Sequence, residues 1–243
     1  CRSAFSTLDY SYFIAANRRR FGQTPLVWLG NDGKYRLTDE FRSMLEQMTF
    51  RTFFSDTVEA GLVNALALAE SSRKHHIRQN HGFLYGEKYS VFDVMRLCGW
   101  PAEQVPQNVG GYKLDTESGS LPIFIKYEAS QYGDRFLNPG EIEWFSKNNR
   151  SLKSNEFRWL LDGTERTPEW QNRHFVPIFI RRKAEEQEKS YYFVGSAVAL
   201  DDVRASVNPG EDGSESKVVI STLKLIKPVD PELYRHLTGK SAL

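Results

Sequence analysis

Long apolar runs are missing from the sequence. The most apolar segment, residues 60–70 (AGLVNALALAE), is shorter than the about 18 residues that cross a bilayer, and it ends in a charged residue. The first residues, CRSAFSTLDYSYF, contain no continuous apolar stretch of the kind found in secretory signals. We therefore expect a globular protein that has no membrane partner.

Cysteine is scarce, and neither sign of charge dominates. The two cysteines, Cys1 and Cys98, stand far apart, which predicts neither a disulfide framework nor a thiolate metal site and favours the reducing cytoplasm. The 32 Lys and Arg residues are matched by 31 Asp and Glu residues, so a wholly electrostatic nucleic-acid binder is not expected. Because the first residue is Cys rather than Met, we expect a processed product or, in preference, a domain of a larger polypeptide.

Most enzyme motifs are also absent. The sequence has no G-x-x-x-x-G-K-[ST] phosphate loop, no G-x-G-x-x-G, no G-x-S-x-G elbow and no H-E-x-x-H. His75, His76 and His81 lie close together, but they lack a cysteine partner and the fixed spacing of a metal site. We therefore predict a non-catalytic domain with no cofactor and no bound metal.

Hydrophobic periodicity divides the chain into a helical part and a strand-rich part. Apolar residues recur every three or four positions between residues 39 and 70, which predicts two amphipathic helices, the first capped by Thr38 or Asp39. Ser90 and Asp93 have capping-box spacing before a short helix that ends near Gly99. From about residue 109, β-branched and aromatic residues predict strands in five segments: VGGYKL, LPIFIKY, FVPIFIRR, SYYFVGSAVAL and KVVISTLKLI.

These patterns predict an α+β fold. Residues 1–86 are expected to form a helical N-terminal part, and residues 87–243 a curved, mostly antiparallel β-sheet or partly open barrel of about five or more strands. The segment NPGEDGSES is predicted to be a hairpin loop. A long excursion from the sheet, residues 128–173, contains a predicted short helix at residues 154–161, and such excursions often carry function.

The excursion contains the stretch GEIEWFSKNNRSLK, residues 140–153, which mixes aromatic rings, amides and cations. Everted bases are held by aromatic faces, read by hydrogen bonds to their edges and anchored through phosphate by cations. An acidic side chain can accept the cytosine amino hydrogen. The candidate base-binding residues here are Asp134, Phe136, Trp144, Asn148 and Asn149.

Three cation clusters are candidates for phosphate contact, although such runs are also common on solvated surfaces. The alternative for the excursion is that Trp144 and Phe145 pack in the core while the cations lie at the rim. The candidate DNA phosphate-binding residues are Lys147, Arg150, Lys153, Arg158, Arg73 and Lys74.

The order of motifs KYSVFDVMRLCGW, GGYK, PIFIKY, RFLNPGEIEWFSKNNRSL, VPIFI, YYFVG and LIKPVDPELYRHLTG resembles one known family. It is similar to the C-terminal domain of uncharacterised function that follows a helicase core in many bacterial proteins. The resemblance covers residues 35–243 and is tightest over residues 88–237. In that family a phospholipase-D-type nuclease often precedes the helicase, and some members are modification-dependent (type IV) restriction enzymes.

The resemblance implies a target-recognition domain for double-stranded DNA that carries 5-methylcytosine or 5-hydroxymethylcytosine. Its β-rich part would then be similar to the SET-and-RING-associated and pseudouridine-synthase-like modules that extract a base from the duplex, and its partners would be the helicase and nuclease domains of the same polypeptide. The matched positions add Tyr112 to the base-binding candidates. The SKNNR segment departs from the family pattern, which has a second cation near Asn148 or Asn149.

Two further functions compete with DNA recognition. A regulatory domain could dock on the helicase core through the helices between residues 39 and 70, with little affinity for free DNA. An autonomous nuclease is disfavoured, because no nucleophile, metal cluster or base is arranged for it in the sequence. The oligomeric state is left open by the sequence.

Overall fold

The fold begins with helices around a small two-stranded sheet. A computed structural model describes residues 2–19, 24–74, 82–127, 133–162, 168–209 and 215–239; for residues 2–4, 67–74, 168–169 and 172 it describes the backbone alone. The N-terminal elements are α1 (Arg2–Leu8), α2 (Ala15–Arg18), β1 (Val27–Leu29), β2 (Tyr35–Leu37), α3 (Asp39–Glu46) and α4 (Met48–Lys74).

The predicted helices between residues 39 and 70 are confirmed as α3 and α4. Thr38, rather than Asp39, caps α3, because the Thr38 hydroxyl accepts the Phe41 amide hydrogen at 3.3 Å. Within the described residues, no helix is both long and apolar enough to span a bilayer.

The rest of the chain forms a strongly curled, mostly antiparallel sheet with short helices around it, which confirms the α+β prediction. The elements are β3 (Lys88–Ser90), α5 (Val91–Leu97), α6 (Pro106–Val109), β4 (Ile123–Tyr127), β5 (Arg135–Asn138), β6 (Glu141–Phe145), α7 (Asn155–Leu160), α8 (Pro168–Arg173), β7 (Pro177–Arg182), a 3-10 helix (Lys183–Glu188), β8 (Ser190–Pro209), β9 (Glu215–Leu225) and α9 (Pro231–Thr238).

Six strands run in the order β4, β7, β8, β9, β6, β5, and β3 pairs with β8 outside this path. Only the β4–β7 pair among the described strands is parallel. The 20-residue strand β8 pairs with β7 at its start and with β9 over the remainder. Register shifts after Ala197 and after Asp201 interrupt its pairing with β9, and such bulges increase the local bend of a sheet.

Both faces of the sheet are buried around β4 and β7, because successive side chains in a strand point to opposite faces. Ile123 and Ile125 lie in one core cluster together with α7 and α9, whereas Phe124 lies in a second cluster with α5. The predicted capping box holds α5 in place: the Ser90 hydroxyl accepts the Asp93 amide hydrogen, and the Asp93 side chain accepts the Ser90 amide hydrogen.

Two parts of the strand prediction are wrong. The VGGYKL segment forms the end of α6 and an irregular stretch in which Tyr112 makes an isolated bridge to Ile123. Gly110 and Gly111 both have positive φ (42° and 79°), a conformation that breaks an extended strand. The second difference is that β5 and β6 lie inside the segment interpreted as an excursion from the sheet.

The other local predictions agree with the structure where it describes them. The helix expected at residues 154–161 is α7, and β8 and β9 are antiparallel neighbours as a hairpin requires. The tip of that hairpin, residues 210–214, and the three clustered histidines of residues 75–81 lie outside the described residues.

Candidate nucleic-acid interface

A cleft of about 460 Å³ opens between two segments that are distant in the sequence. One wall is the irregular stretch after the double glycine, and the other is formed by the residues that follow β6 together with α7. The cleft is lined by Tyr112, Lys113, Leu114, Thr116, Lys147, Arg150, Asn155, Glu156, Arg158 and Trp159.

The turn after β6 is fixed by backbone hydrogen bonds to β9. The Ser146 amide donates to the Val219 carbonyl oxygen at 2.8 Å, and the Arg150 amide donates to the Lys217 carbonyl oxygen at 3.1 Å. Between them, Asn149 has a positive φ of 59°, a conformation that Asn adopts more readily than most residues. The turn therefore places the Lys147 and Arg150 side chains beside α7.

The amphipathic pattern of α7 orients its cleft residues. Phe157 and Leu160, three positions apart, are 0% and 2% exposed and belong to the main core cluster. Because residues three or four apart share a helix face, the neighbouring positions Glu156 and Trp159 face away from the deepest core and line the cleft.

A buried hydrogen bond joins the two walls. The Tyr112 hydroxyl donates to Glu156 Oε1 at 3.0 Å, and Arg150 Nε lies 2.8 Å from the same oxygen. The Arg150 contact is an ion pair without the angle of a hydrogen bond. Burial, with the negative charge of Glu156, raises the pKa of Tyr112. Among the described residues no hydrogen bond reaches Glu156 Oε2, which leaves this oxygen as an acceptor in the cleft.

Lys147 crosses the edge of the cleft. Its Nζ donates to the Val109 carbonyl oxygen at 2.7 Å, at the C-terminal end of α6, and lies 4.7 Å from the centre of the Tyr112 ring. Burial, and then repulsion from Arg150, lower the pKa of Lys147 to about 8. The amine therefore changes charge near neutral pH.

Four of the predicted site residues meet in this cleft: Tyr112, Lys147, Arg150 and Arg158. Three others lie at its border. Asn149 and Lys153 are exposed, and the Lys153 carbonyl oxygen accepts a 2.7 Å hydrogen bond from Arg158 Nε. Asn148 is half-buried, and its side-chain oxygen has no hydrogen-bond partner within the described residues.

Two of the predicted base-binding aromatics lie in the core. Trp144 is 2% exposed and packs with its ring centre 5.0 Å from that of Tyr112 and 5.8 Å from that of Phe157. Phe136 is 6% exposed and packs against Tyr234. Neither ring offers a free face for stacking in this conformation, so the arrangement corresponds to the core-packing alternative for Trp144.

The remaining predicted residues lie away from the cleft lining. Asp134 Oδ1 accepts the Phe145 amide hydrogen at 2.8 Å, which connects β5 to the end of β6. Burial raises the pKa of Asp134 to about 7, against the effect of that hydrogen bond. Arg73 and Lys74 are the last residues of α4, and the structure describes only their backbone.

The sequence prediction missed several cleft residues, above all Glu156, Trp159 and Lys113. A signal for the first two was available, since the spacing of Phe157 and Leu160 identifies the buried face of the predicted helix and leaves Glu156 and Trp159 on the other faces. No local signal pointed to Lys113, because its place depends on the turn made by the double glycine.

The cleft combines three kinds of group. Lys113, Lys147, Arg150 and Arg158 supply positive charge against one carboxylate, in a chain whose net charge is only +1. Trp159 supplies a half-buried aromatic surface, and Glu156 supplies an acceptor. Such an arrangement can hold an anionic ligand that also has a flat ring with hydrogen-bond donors at its edge.

Among solved structures, the neighbours are SRA (SET and RING associated) domains in complexes with DNA. The sulfur-binding and SRA domains of ScoMcrA, complexed with phosphorothioated DNA, match with a TM-score of 0.35 and 16% identity. The match covers 64% of this chain and 45% of that chain. The SUVH5 SRA domain complexed with fully methylated CG DNA matches with a TM-score of 0.37 and 12% identity, over 61% of this chain and 93% of that chain. These values describe a partial likeness of fold.

Comparisons of sequence lead to families without an assigned function. No curated protein matches the chain. Residues 1–69 match the family model described as Domain of unknown function (DUF8090). Residues 83–237, more than half of the chain, match the model described as Domain of unknown function (DUF3427), and the chain therefore belongs to the DUF3427 family.

Proposed function

We propose that this protein binds double-stranded DNA through the cleft and takes a modified cytosine, rotated out of the duplex, into it. The observation that carries the proposal is the meeting of four cations, a half-buried Trp and an acceptor carboxylate in one cleft of about 460 Å³. That volume lies within the range of about 300 to 1,000 Å³ typical of small-molecule sites. The protein itself performs no chemistry in this proposal.

The cations of the cleft suit phosphate groups on either side of the extruded nucleotide. All three line the cleft: Arg158 is exposed, and Lys113 and Arg150 are half-buried. Contacts of this kind contribute affinity that does not depend on the base sequence. For each neutralised phosphate, the logarithm of the binding constant falls more steeply with the logarithm of the salt concentration, by about 0.9 in slope.

Glu156 and Trp159 suit the base itself. A carboxylate accepts a hydrogen bond from the exocyclic amino group of cytosine, and Glu156 Oε2 is available for it among the described residues. Thymine carries a carbonyl oxygen at that position, which a carboxylate repels. Trp159 would stack on the ring, and Leu114 offers an apolar contact for a methyl group on carbon 5.

The energies are compatible with base flipping. Rotating a base out of the stack costs a few kcal/mol, and stacking on an aromatic side chain returns about 1–3 kcal/mol. A methyl group adds one small apolar contact, so discrimination between 5-methylcytosine and cytosine should be on the order of 1–3 kcal/mol. Preference for the modified base is therefore expected to be measurable but modest.

The wider context in this proposal is a bacterial restriction protein of the cytoplasm, in which residues 87–243 form the reading domain and residues 1–86 form a helical part beside it. Helicase and nuclease domains of the same polypeptide would supply the motor and the cleavage. This context depends on the sequence resemblance to domains that follow a helicase core.

Fluorescence anisotropy with matched duplexes tests the proposal. Duplexes carrying cytosine, 5-methylcytosine or 5-hydroxymethylcytosine at one position are titrated at two salt concentrations, and a preference for a modified duplex should persist at the higher salt. Glu156→Gln should weaken binding of the cytosine-containing duplexes and reduce discrimination against a duplex that carries thymine at that position, whereas Arg158→Gln should weaken binding to all duplexes equally and lower the salt slope by about one.

The matched control is Arg42→Gln, which removes an exposed arginine on α3, outside the cleft. It should leave both the preference and the salt slope unchanged. Equal, salt-labile binding to all three duplexes by the wild-type protein would reduce the role of the cleft to phosphate contact and contradict base reading.

A docking domain is the second candidate, and α4 favours it. Phe53, Leu62 and Leu66 are 71%, 60% and 64% exposed on this 27-residue helix. Exposed apolar rows of this kind commonly mark protein interfaces. Replacing Leu62 and Leu66 by Gln should leave DNA binding intact if the cleft reads DNA, and should abolish association with the helicase core if the docking function is correct.

A further inference from the structure

The end of α7 is held by two aromatic side chains that lie in and beside α8. Trp170 Nε1 donates to the Leu160 carbonyl oxygen at 3.1 Å, and His174 Nε2 lies 2.7 Å from the Trp159 carbonyl oxygen. Carbonyl groups in the last turn of a helix have no partner within the helix, and the Trp159 carbonyl oxygen also accepts the Asp162 amide hydrogen at 3.1 Å. A carbonyl oxygen can only accept, so the Nε2 contact is a hydrogen bond in the tautomer whose Nε2 carries the hydrogen. The two side chains therefore cap α7.

His174 is also enclosed by rings. It is 3% exposed, its ring stacks on Trp170 with centres 4.5 Å apart and an angle of 11°, and its centre lies 4.4 Å from that of Trp159. Its other nitrogen, Nδ1, lies 2.8 Å from the Trp170 carbonyl oxygen. One nitrogen and at least one face of the ring are thus engaged, and the buried histidine has little freedom to reorient.

We infer that His174 is a positioning residue of the cleft, which sets the place of Trp159 and thereby the reading of the base. The inference rests on the proposed function and deepens it, because His174 itself does not line the cleft. It acts through α7, the helix that carries Glu156, Arg158 and Trp159 to the site.

Base reading and phosphate binding should respond differently to a shift of α7. A site must hold its groups within about 0.5 Å of the productive geometry for stacking and edge hydrogen bonds to form. Long Lys and Arg side chains can follow a phosphate over a larger distance, and Lys113 and Lys147 do not belong to α7. Loss of the His174 contact should therefore reduce discrimination between bases and leave the general affinity for DNA unchanged.

Two substitutions separate this role from a merely structural one. His174→Phe keeps a ring between the two indoles but has no donor, whereas His174→Gln keeps an N–H that can reach the Trp159 carbonyl oxygen. We expect His174→Phe to lower the preference for modified over unmodified duplex by about threefold to tenfold, the effect of one hydrogen bond. His174→Gln should retain most of the preference, and both variants should keep the wild-type salt slope.

The matched control is His236→Gln, which changes a 40%-exposed histidine paired with Glu185 outside the cleft. The indole N–H resonance of Trp159, assigned with Trp159→Phe, gives a readout without DNA. It should shift in His174→Phe and stay in place in His236→Gln. An unmoved resonance, an unchanged preference, or an equal loss of affinity for all duplexes would each overturn the inference.

A measurement on the wild-type protein covers the case in which His174→Phe does not fold. The His174 Nε2–H resonance should be protected from solvent exchange, and adding modified duplex should perturb it more than adding unmodified duplex. A resonance that exchanges freely would overturn the positioning role. If the wild type shows no preference among duplexes, the proposed function fails, while the Trp159 resonance still decides whether His174 sets the position of that ring.

Discussion

The Tyr112 hydroxyl donates a hydrogen bond to Glu156 Oε1 over 3.0 Å and so connects the two walls of the cleft. The same hydroxyl accepts the Lys147 amide hydrogen at 3.3 Å. One oxygen atom therefore joins three segments: the stretch after the double glycine, the turn after β6 and the first turn of α7. Tyr112 is 4% exposed, and both bonds are partly buried.

Tyr112→Phe should destabilise the fold and loosen the cleft. It removes one donor and one acceptor from a buried position, which is expected to lower the free energy of unfolding by about 1–3 kcal/mol. Urea denaturation measures this change, and anisotropy should show a reduced preference for modified duplex. An unchanged midpoint together with an unchanged preference would mean that the hydroxyl does not connect the walls in solution.

The charge of Lys147 should make DNA binding depend on pH. Burial and Arg150 lower its pKa from 10.5 to about 8, so the folded protein loses this proton before the unfolded chain does. Between these two values the unfolded state binds more protons, and the contribution of Lys147 to stability rises with pH. Affinity for phosphate needs the charged amine, so DNA affinity should fall as the pH rises through about 8.

Lys147→Arg is the corresponding test, because arginine keeps its charge throughout this range. Anisotropy titrations below and above the pKa of Lys147 should show a smaller loss of affinity in this variant than in wild type. Lys153→Arg, at an exposed position bordering the cleft, should leave the pH dependence as it is. If the DNA affinity of Lys147→Arg falls with pH as much as that of wild type, the pH dependence belongs to another group.

Asp134 should give stability the opposite dependence on pH. Burial raises its pKa from 3.8 to about 7, with a smaller contribution from the charge of Glu143. Between these values the folded state binds more protons than the unfolded state, so stability is lost as the pH rises through this window. Asp134→Asn should therefore melt at a higher temperature than wild type above pH 7, and the advantage should shrink as the pH falls towards 4. If wild type and Asp134→Asn melt at equal temperatures both near pH 4 and above pH 7, the result contradicts a buried, protonated Asp134 carboxyl.

Two tryptophans should respond differently to truncation. Trp144→Ala leaves a large cavity in the main core and should cost about 3–5 kcal/mol of stability. Trp159→Ala removes a half-buried ring of the cleft and should weaken binding of the modified duplex by about 1–3 kcal/mol, with a smaller loss of stability. Denaturation and anisotropy of both variants check this, and a full loss of base preference in a stably folded Trp144→Ala would reverse the assignment.

Local sequence signals predicted the elements whose cause is local. The Ser90 and Asp93 capping box and the short helix predicted at residues 154–161 depend on neighbouring residues, and both are confirmed. The double glycine shows the limit of a propensity argument, since the β-forming residues around it suggested a strand while Gly110 and Gly111 turn the chain.

Strand β6 was not predicted, although one of its two partners, β5, directly precedes it and only β9 is distant in the sequence. Ile142 and Trp144 alternate with Glu141 and Glu143, a period of two that favours a strand, but the stretch was interpreted from its aromatic, amide and cationic groups. In the fold, Glu143 pairs with Arg135 of β5 and Arg204 of β8 across the outer face of the sheet. Arg135 lies in the adjacent strand, whereas Arg204 is brought to Glu143 only by the packing of distant strands, which no local pattern contains.

The cleft was predicted only in part, because some of its contacts join residues that are distant in the sequence. The cations Lys147, Arg150 and Arg158 were recognised by their charge, which is visible in the sequence. The contact between Tyr112 and Glu156 joins residues 44 positions apart, and it exists only after both segments pack on the sheet. Periodicity identifies the face of α7 that is buried, but it does not say which segment lies opposite the other face.

Helix α7 uses different residues to pack on the core and to line the cleft, and this has a practical consequence for redesign. The helix attaches to the core through Phe157 and Leu160, while Asn155, Glu156 and Trp159 face the cleft. Substitutions at the cleft positions can change the ligand without disturbing the anchoring pair. A library confined to these three sites would therefore vary the cleft while the anchoring pair stays in place, with Glu156 also constrained by its contacts with Tyr112 and Arg150.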